Sequence, residues 1–311
     1  MEEKAYRKCL EPVGRTVDAV LDTDTYNEID DQFALAYMVR SYDRIHVQAI
    51  YAAPFFNANS SSPADGMEKS YREILKLLSL MKEERLKDSV YKGSEKYLDD
   101  ESTPVVSDAA KDLAERAMKY TEENPLYVVA IGAITNIASA LLLNPQIKDR
   151  IVIVWLGGHA HSWVNTREFN MFQDVAAARV VMDSQAPVVQ FPCMGVVSGF
   201  TISGDDMRQR MYGKNELCNY LVTNTERDVA SYVKSGEAWS RIIWDVTAVS
   251  WLNSVADGKI RFFAYKQVPA PICEYDFTYS FDDSRHKIAY VYYIRRDELF
   301  NDLLRRLTAP D

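Results

Sequence analysis

The densest run of reactive side chains in this 311-residue sequence is Asp22-Thr23-Asp24-Thr25-Tyr26-Asn27-Glu28-Ile29-Asp30-Asp31. It follows the apolar residues Val17 to Leu21 and precedes the helix-like stretch Gln32 to Val39. Acids this close together repel one another and resist burial. A cation shared by several of their oxygens removes the conflict, and hard divalent ions such as Ca²⁺ or Mg²⁺ take this kind of all-oxygen shell. The run therefore points to a metal site at the carboxyl end of the first strand. Capping is the competing reading: Asn27 with Asp30 three residues later resembles a capping pair, and acids suit a helix N-terminus. The run alone supports both readings equally, and the distant segments described below favour the metal.

The elements that must position these groups are legible as alternating apolar runs and amphipathic stretches. Strands are expected at Val17–Leu21, Ile45–Ala53, Leu126–Ile131, Ile151–Leu156 and Val188–Phe191. Helices are expected from the acidic run to Arg40 and over Gly66–Met81, Asp108–Thr121, Ile137–Leu143 and Val175–Met182. Continuous apolar strands alternating with helices predict an α/β fold, with a mainly parallel, doubly wound, Rossmann-like sheet flanked by helices. Ligands in such sheets bind where the carboxyl ends of strands meet the following loops. Four loops occupy that position: the acidic run, the loop carrying Asn57, the turn carrying Thr135, and the loop carrying His159, His161, Trp163 and Glu168. The last third reads as a helical elaboration, with helices over Asn215–Val233, Ser240–Leu252 and Asp297–Leu307 and strands at Arg261–Tyr265 and Lys287–Ile294. Residues 1–15 read as an arm without a motif. No repeat, low-complexity segment or linker interrupts the chain, so a single domain is expected.

Composition narrows the partners. Hydrophobic residues make up 47% and charged residues 26%, ordinary for a globular protein. A net charge of −9 argues against nucleic-acid and anionic-membrane partners, since both need a basic surface. No apolar run is long enough to span a membrane, and the charged N-terminus lacks the apolar core of a signal peptide. Four cysteines without paired spacing are expected to be reduced thiols in a cytosol.

Four segments together resemble the inosine–uridine-preferring nucleoside hydrolase family. They are Asp22-Thr23-Asp24 with Asp30-Asp31, then Gly132-Ala133-Ile134-Thr135-Asn136-Ile137-Ala138. Leu156-Gly157-Gly158 with Glu168-Phe169-Asn170 and Asp174 comes next, and Trp244-Asp245 is last. The resemblance implies hydrolysis of the N-glycosidic bond of a ribonucleoside with a tightly held Ca²⁺. By motif it implies side-chain metal ligands at Asp24, Asp31 and Asp245 and a backbone carbonyl from Thr135. It implies sugar contacts from Asp30, Glu168 and Asn170, with Asn57 joining from its loop. Asp24 is taken as the general base, with Asp22 as the alternative. The family's dimers and tetramers imply a homo-oligomer acting on a small-molecule ribonucleoside.

The residues depart from the family pattern in three places. Five residues, Thr25 to Ile29, separate Asp24 from Asp30, where the usual motif has three including Pro-Gly. The family's asparagine upstream of Glu-Phe-Asn has no in-register match: Ser162 lies near that register, and Asn165 is out of it. Trp244 stands where those members carry a histidine that protonates the departing base. A tryptophan cannot donate that proton, although it can stack on a heterocycle. His159 and His161 are the candidates left for the acid. Two other functions follow from this loss: hydrolysis of a riboside whose cationic or modified base needs no acid, and ribose or nucleoside binding without turnover.

Overall fold

The first strand is apolar on both sides, so it must lie between two layers. The computed structural model describes residues 1–309. It places β1 (Val17–Thr23), β2 (Ile45–Ala52), β3 (Val90–Lys92), β4 (Leu126–Ala130), β5 (Ile151–Leu156) and β6 (Val188–Phe191) in one parallel array. Two short ribbons follow, β7 (Thr201–Ser203) with β8 (Ser240–Ile242) and β9 (Val255–Ala256) with β10 (Lys259–Ile260). The chain then returns to the main sheet with β11 (Phe263–Pro269). After a ribbon of β12 (Ile272–Cys273) with β13 (Tyr279–Ser280), β14 (Lys287–Ile294) pairs parallel to β6 and antiparallel to β11. The eight-stranded sheet has the order β11-β14-β6-β5-β4-β1-β2-β3.

The helices are α1 (Glu3–Cys9), α2 (Asp30–Val39), α3 (Pro63–Leu80), α4 (Asp108–Arg116), α5 (Thr135–Leu143), α6 (Phe169–Gln173), α7 (Val175–Asp183), α8 (Gly204–Arg210), α9 (Glu216–Val229), α10 (Val246–Asn253) and α11 (Arg296–Leu307). Strand side chains alternate between two cores. Val152, Val154 and Leu156 of β5 join the cluster under α2, α3, α10 and α11. Ile151, Ile153 and Trp155 join the cluster under α4, α5 and α7. Both faces are covered, which is why the strands read as unbroken apolar runs.

The expected α/β architecture is what the chain adopts, with four local differences. The N-terminal arm contains α1, held by an Arg7–Glu3 pair one turn apart at 2.6 Å and by the Tyr6 hydroxyl donating to the Lys287 carbonyl at 2.7 Å. α3 starts at Pro63 instead of Gly66, because Ser62 caps it by accepting from the Asp65 N–H at 3.1 Å. The expected helix over Ser240–Leu252 divides: Ser240–Ile242 pairs with β7, and the helix starts at Val246. Finally, β11 and β14 extend the central sheet itself, because Ile288, Ala289 and Val291 are buried and continue its core beyond β6. Among the described residues no helix is long and apolar enough to cross a membrane, and the four cysteines are buried.

Candidate active site

The strand order makes β1 and β4 neighbours although β2 and β3 intervene in sequence, so the site lies at the switch point of the sheet. Asp22 sits opposite Ala130 in parallel register, and the Ile131 N–H donates to the Asp22 carbonyl at 2.8 Å. The acidic run and the Thr135 turn therefore leave the sheet side by side. Gly132 permits this approach: a Cβ there would stand 3.0 Å from Asp24 Oδ1 and 3.1 Å from the Ala53 Cβ.

Two buried helices bring in the remaining acids. All ten residues of α2 are buried, beginning with Asp30 and Asp31. All eight of α10 are buried too, and Asp245 immediately precedes it. Their partial positive N-terminal ends both favour nearby anions. Carboxylate oxygens of Asp30, Asp31 and Asp245 lie within 4.8 Å of one another. The capping alternative does not form: Ile29 occupies the cap position of α2, with no side-chain cap hydrogen bond.

The electrostatics show the tension in this arrangement. Burial, then the charges of Asp31 and Asp30, push the Asp24 carboxyl well above its ordinary range. Asp31 and Asp245 are raised for the same reasons, burial first and neighbouring aspartates second. Burial, followed by the Glu28 charge, raises Asp30 to about 7. Neither oxygen of Asp24 has a hydrogen-bond partner among the described residues. Asp31 is better served, since the Thr23 hydroxyl donates to its Oδ1 at 2.5 Å. Burying carboxylates without cationic partners costs several kcal/mol each. An all-oxygen set with orphaned atoms and converging charge fits a hard divalent cation. Asp30, Asp31 and Asp245 converge closely enough to hold it, and Asp24, with both oxygens unpartnered among the described residues and its carboxyl raised by burial and then by Asp31 and Asp30, stands beside them.

Above the acids lies a cavity of about 230 Å³ lined by Asp30, Asp31, His159, Glu168, Asn170, Trp244 and Asp245, among others. The Glu168 carboxylate is fixed from three sides, accepting from the N–H groups of Gly158 at 2.8 Å, Asn170 at 2.9 Å and Met171 at 3.0 Å. Burial raises its pKa to about 7 against those three bonds. Gly158 takes φ +73°, and a Cβ there would meet the Tyr279 hydroxyl at 2.0 Å, so only glycine turns the chain here. Asn170 Nδ2 donates to the carbonyls of Ile131 at 3.2 Å and Leu156 at 3.0 Å. Both partners are acceptors, so the amide orientation is forced and its oxygen is left for the cavity.

The remaining expected residues divide. His159 lines the cavity; its Nδ1 accepts from the Met194 N–H at 3.3 Å, leaving the hydrogen on Nε2. Burial lowers its pKa, so the ring is neutral near pH 7. His161 is not among the lining residues. Its Nε2 bonds Gln190 at 2.9 Å, its ring packs 4.2 Å from Tyr290, and burial drives its pKa down to about 4. Asn57 also stands outside the wall and hands its amide to Asn27, which does line it. Thr135 is buried at the start of α5, its hydroxyl donating to Asp174 at 2.7 Å. Among the lining residues that sequence reasoning did not single out as candidates are Asn27, Glu28, Arg167 and Cys193. The first two sit in the lengthened turn, whose departure from the family spacing was the available signal. Nothing in the sequence marks Cys193.

Known proteins resemble this chain in sequence and fold. The model of the family described as inosine-uridine preferring nucleoside hydrolase matches residues 19–275. A pyrimidine-specific ribonucleoside hydrolase, RihA, of Klebsiella pneumoniae is 30% identical over 184 residues, 51% of this chain and 55% of that protein. The chain thus spans about half the length of the curated relatives it matches. The plant nucleoside hydrolase PpNRh1 shares the fold with a TM-score of 0.75 at 18% identity, over 95% of this chain and 100% of the other. A purine-preferring ribonucleoside hydrolase from Gardnerella vaginalis does so at 0.74 and 19%, over 94% and 98%.

Proposed function

The chain belongs to the inosine-uridine preferring nucleoside hydrolase family, and from that premise we propose that, as a single domain, it hydrolyses the N-glycosidic bond of a ribonucleoside with Ca²⁺ as cofactor. The observation that carries this reading is the set of buried, partly orphaned carboxylates of Asp24, Asp30, Asp31 and Asp245 beneath a cavity whose wall holds Glu168 and Asn170.

Asp24, Asp31 and Asp245, with the Thr135 carbonyl, would hold the ion, and the closeness of Asp30 to that set adds it as a ligand or as a partner of the sugar. What a divalent cation supplies here is positive charge among the carboxylates and a lowered pKa for a water beside it. The residues of the chain do the rest. Glu168, Asn170 and Asp30 accept hydrogen bonds from ribose hydroxyls, which selects ribose because unpaired buried acceptors are costly. Asp24, free of protein partners, takes a proton from the attacking water. C–N cleavage puts positive charge on the sugar, and a wall of carboxylate and amide oxygens favours that charge. Trp244 stacks on the base, and the His159 Nε2–H donates a hydrogen bond to it as it leaves, the base taking its proton from solvent water. A pyrimidine-specific relative and a purine-preferring neighbour bracket the base without choosing it. By family analogy the enzyme works as a homo-oligomer, a dimer or tetramer. The test is release of ribose and free base across a panel of ribonucleosides with and without Ca²⁺. Protein loaded with calcium that cleaves none of them overturns the proposal.

One observation favours a second reading. The cavity holds Trp244, which carries no acidic proton, and His159, whose pKa burial lowers. A riboside with a cationic aglycone, such as a pyridinium, departs without a proton and suits that set. A rate on such a substrate that is flat across the acidic limb, and above the rates on neutral nucleosides, would select it. Ribose binding without any turnover would instead mark a binding protein.

A further inference from the structure

The sugar end of the cavity is rich in hydrogen-bond acceptors. Asp30, Asp31, Glu168, Asp245 and the Asn170 oxygen all take hydrogens. A hydroxyl gives only one hydrogen and has lone pairs of its own, so a site built to hold it in one orientation needs a donor as well.

Asn27 meets that need through a chain of amides. The Asn59 N–H donates to Asn57 Oδ1 at 2.8 Å, which leaves Asn57 Nδ2 to face Asn27. Asn57 Nδ2 donates to Asn27 Oδ1 at 2.5 Å. The Asn27 backbone is tied at both ends, its N–H donating to the Asp24 carbonyl at 2.7 Å and its carbonyl accepting from Asn59 Nδ2 at 2.8 Å. One polar group of Asn27 then remains without a partner among the described residues, the Nδ2 amide, in a residue only 7% exposed that lines the cavity. We infer that Asn27 is a sugar-binding residue whose Nδ2–H donates to a ribose hydroxyl oxygen, with Asn57 as the positioning residue that fixes which way the amide points. The two extra residues between Asp24 and Asp30 supply it, so it is a feature of this chain's own turn.

The inference rests on the ribonucleoside reading, and the experiment separates the two. Calorimetry with the calcium-loaded protein compares ribose with 2-deoxyribose, 3-deoxyribose and 5-deoxyribose for the unaltered chain, Asn27→Ala and Asn57→Asp. Asn57→Asp keeps Asn27 but removes the donor that orients it, so the Asn27 amide turns its oxygen to the cavity. Both variants are expected to weaken ribose about 5- to 10-fold, the worth of one hydrogen bond. Both should also abolish the unaltered chain's preference for ribose over one of the three deoxysugars. The inference is overturned by ribose affinity within about twofold of the unaltered chain, by equal losses for ribose and all three deoxysugars, or by an unaltered chain without preference among them. Nucleoside turnover is read in parallel. An unaltered chain that discriminates riboses through Asn27 yet cleaves no nucleoside would fail the hydrolase reading and leave this one standing.

Discussion

Asn136 Nδ2 donates to Asp22 Oδ1 at 2.7 Å across the junction of β1 and β4. The same asparagine accepts through Oδ1 from the N–H and the hydroxyl of Ser94, both at 2.8 Å. Asp22 is therefore built into a brace between three segments, with burial raising its pKa to about 7. Asp24, two residues on, has no such tie. The two acids that the sequence leaves as alternatives for the base thus stand in different surroundings, and the free one suits proton transfer.

Asp24→Asn is expected to lower kcat by about 10²- to 10⁴-fold, the usual worth of a positioned base, and to weaken calcium binding. Asp22→Asn keeps the acceptor for Asn136 and should stay within about tenfold of the unaltered rate, with a lowered melting temperature. Steady-state ribose release and calcium calorimetry check both. A larger kinetic loss at Asp22 would reverse the assignment.

Removing the metal should invert the pH dependence of stability. Without a cation, burial and mutual repulsion raise Asp22 and Asp30 to about 7 and Asp24, Asp31 and Asp245 well above their ordinary range. The folded apo-protein then holds more protons than the unfolded chain, whose carboxyls titrate near about 4. That contribution is complete below about pH 4 and is lost as pH rises through about 7 and beyond. The melting temperature of chelated protein should therefore fall between about pH 5 and about pH 8, and added calcium should restore most at the upper end. Melting curves in chelator and in calcium measure it; a chelated protein that gains stability over that range would contradict the cluster.

Trp244 lines the cavity and is half-buried against the core beneath it. Trp244→Ala should reduce kcat/KM for aromatic nucleosides by about 5- to 50-fold, the range for lost stacking on a base. The affinity for free ribose should change less than about twofold. An equal loss for ribose would show that the indole supports the pocket instead of the base.

The two loop histidines should separate cleanly. His159→Ala is expected to cost about 10²-fold on neutral nucleosides and little on a cationic riboside, because only the first needs a donor at the leaving base. His161→Ala should leave kinetics nearly unchanged and cost about 1 to 3 kcal/mol of stability through its lost packing and its bond to Gln190. With its folded pKa lowered to about 4 and an unfolded value near about 6.5, His161 is neutral where the protein is most stable. Its contribution is present above about pH 6.5 and fades as pH falls towards about 4, so the variant's deficit should shrink in acid.

The sequence by itself determined the sheet, the acidic cluster and the family, because each is written in local pattern. Both faces of β1, β4 and β5 are buried, so these strands appear as apolar runs, and the Asp-Thr-Asp, Thr-Asn and Glu-Phe-Asn segments lie at their carboxyl ends or in the loops that follow. Tertiary structure alone decided which side chains meet. Two histidines separated by a single residue fall to opposite purposes, because the Gly158 turn gives His159 to the cavity while His161 packs beneath Tyr290. Asn57 yields the wall to Asn27, because two extra residues in the turn bring Asn27 across to it. Strand β14 joins the sheet by pairing with the distant β6, Ala289 opposite Val189, and β11 at the edge pairs in turn with β14. Residue type and spacing specify what a segment prefers, but contacts between distant segments depend on the packing of the whole chain, and no local pattern records them.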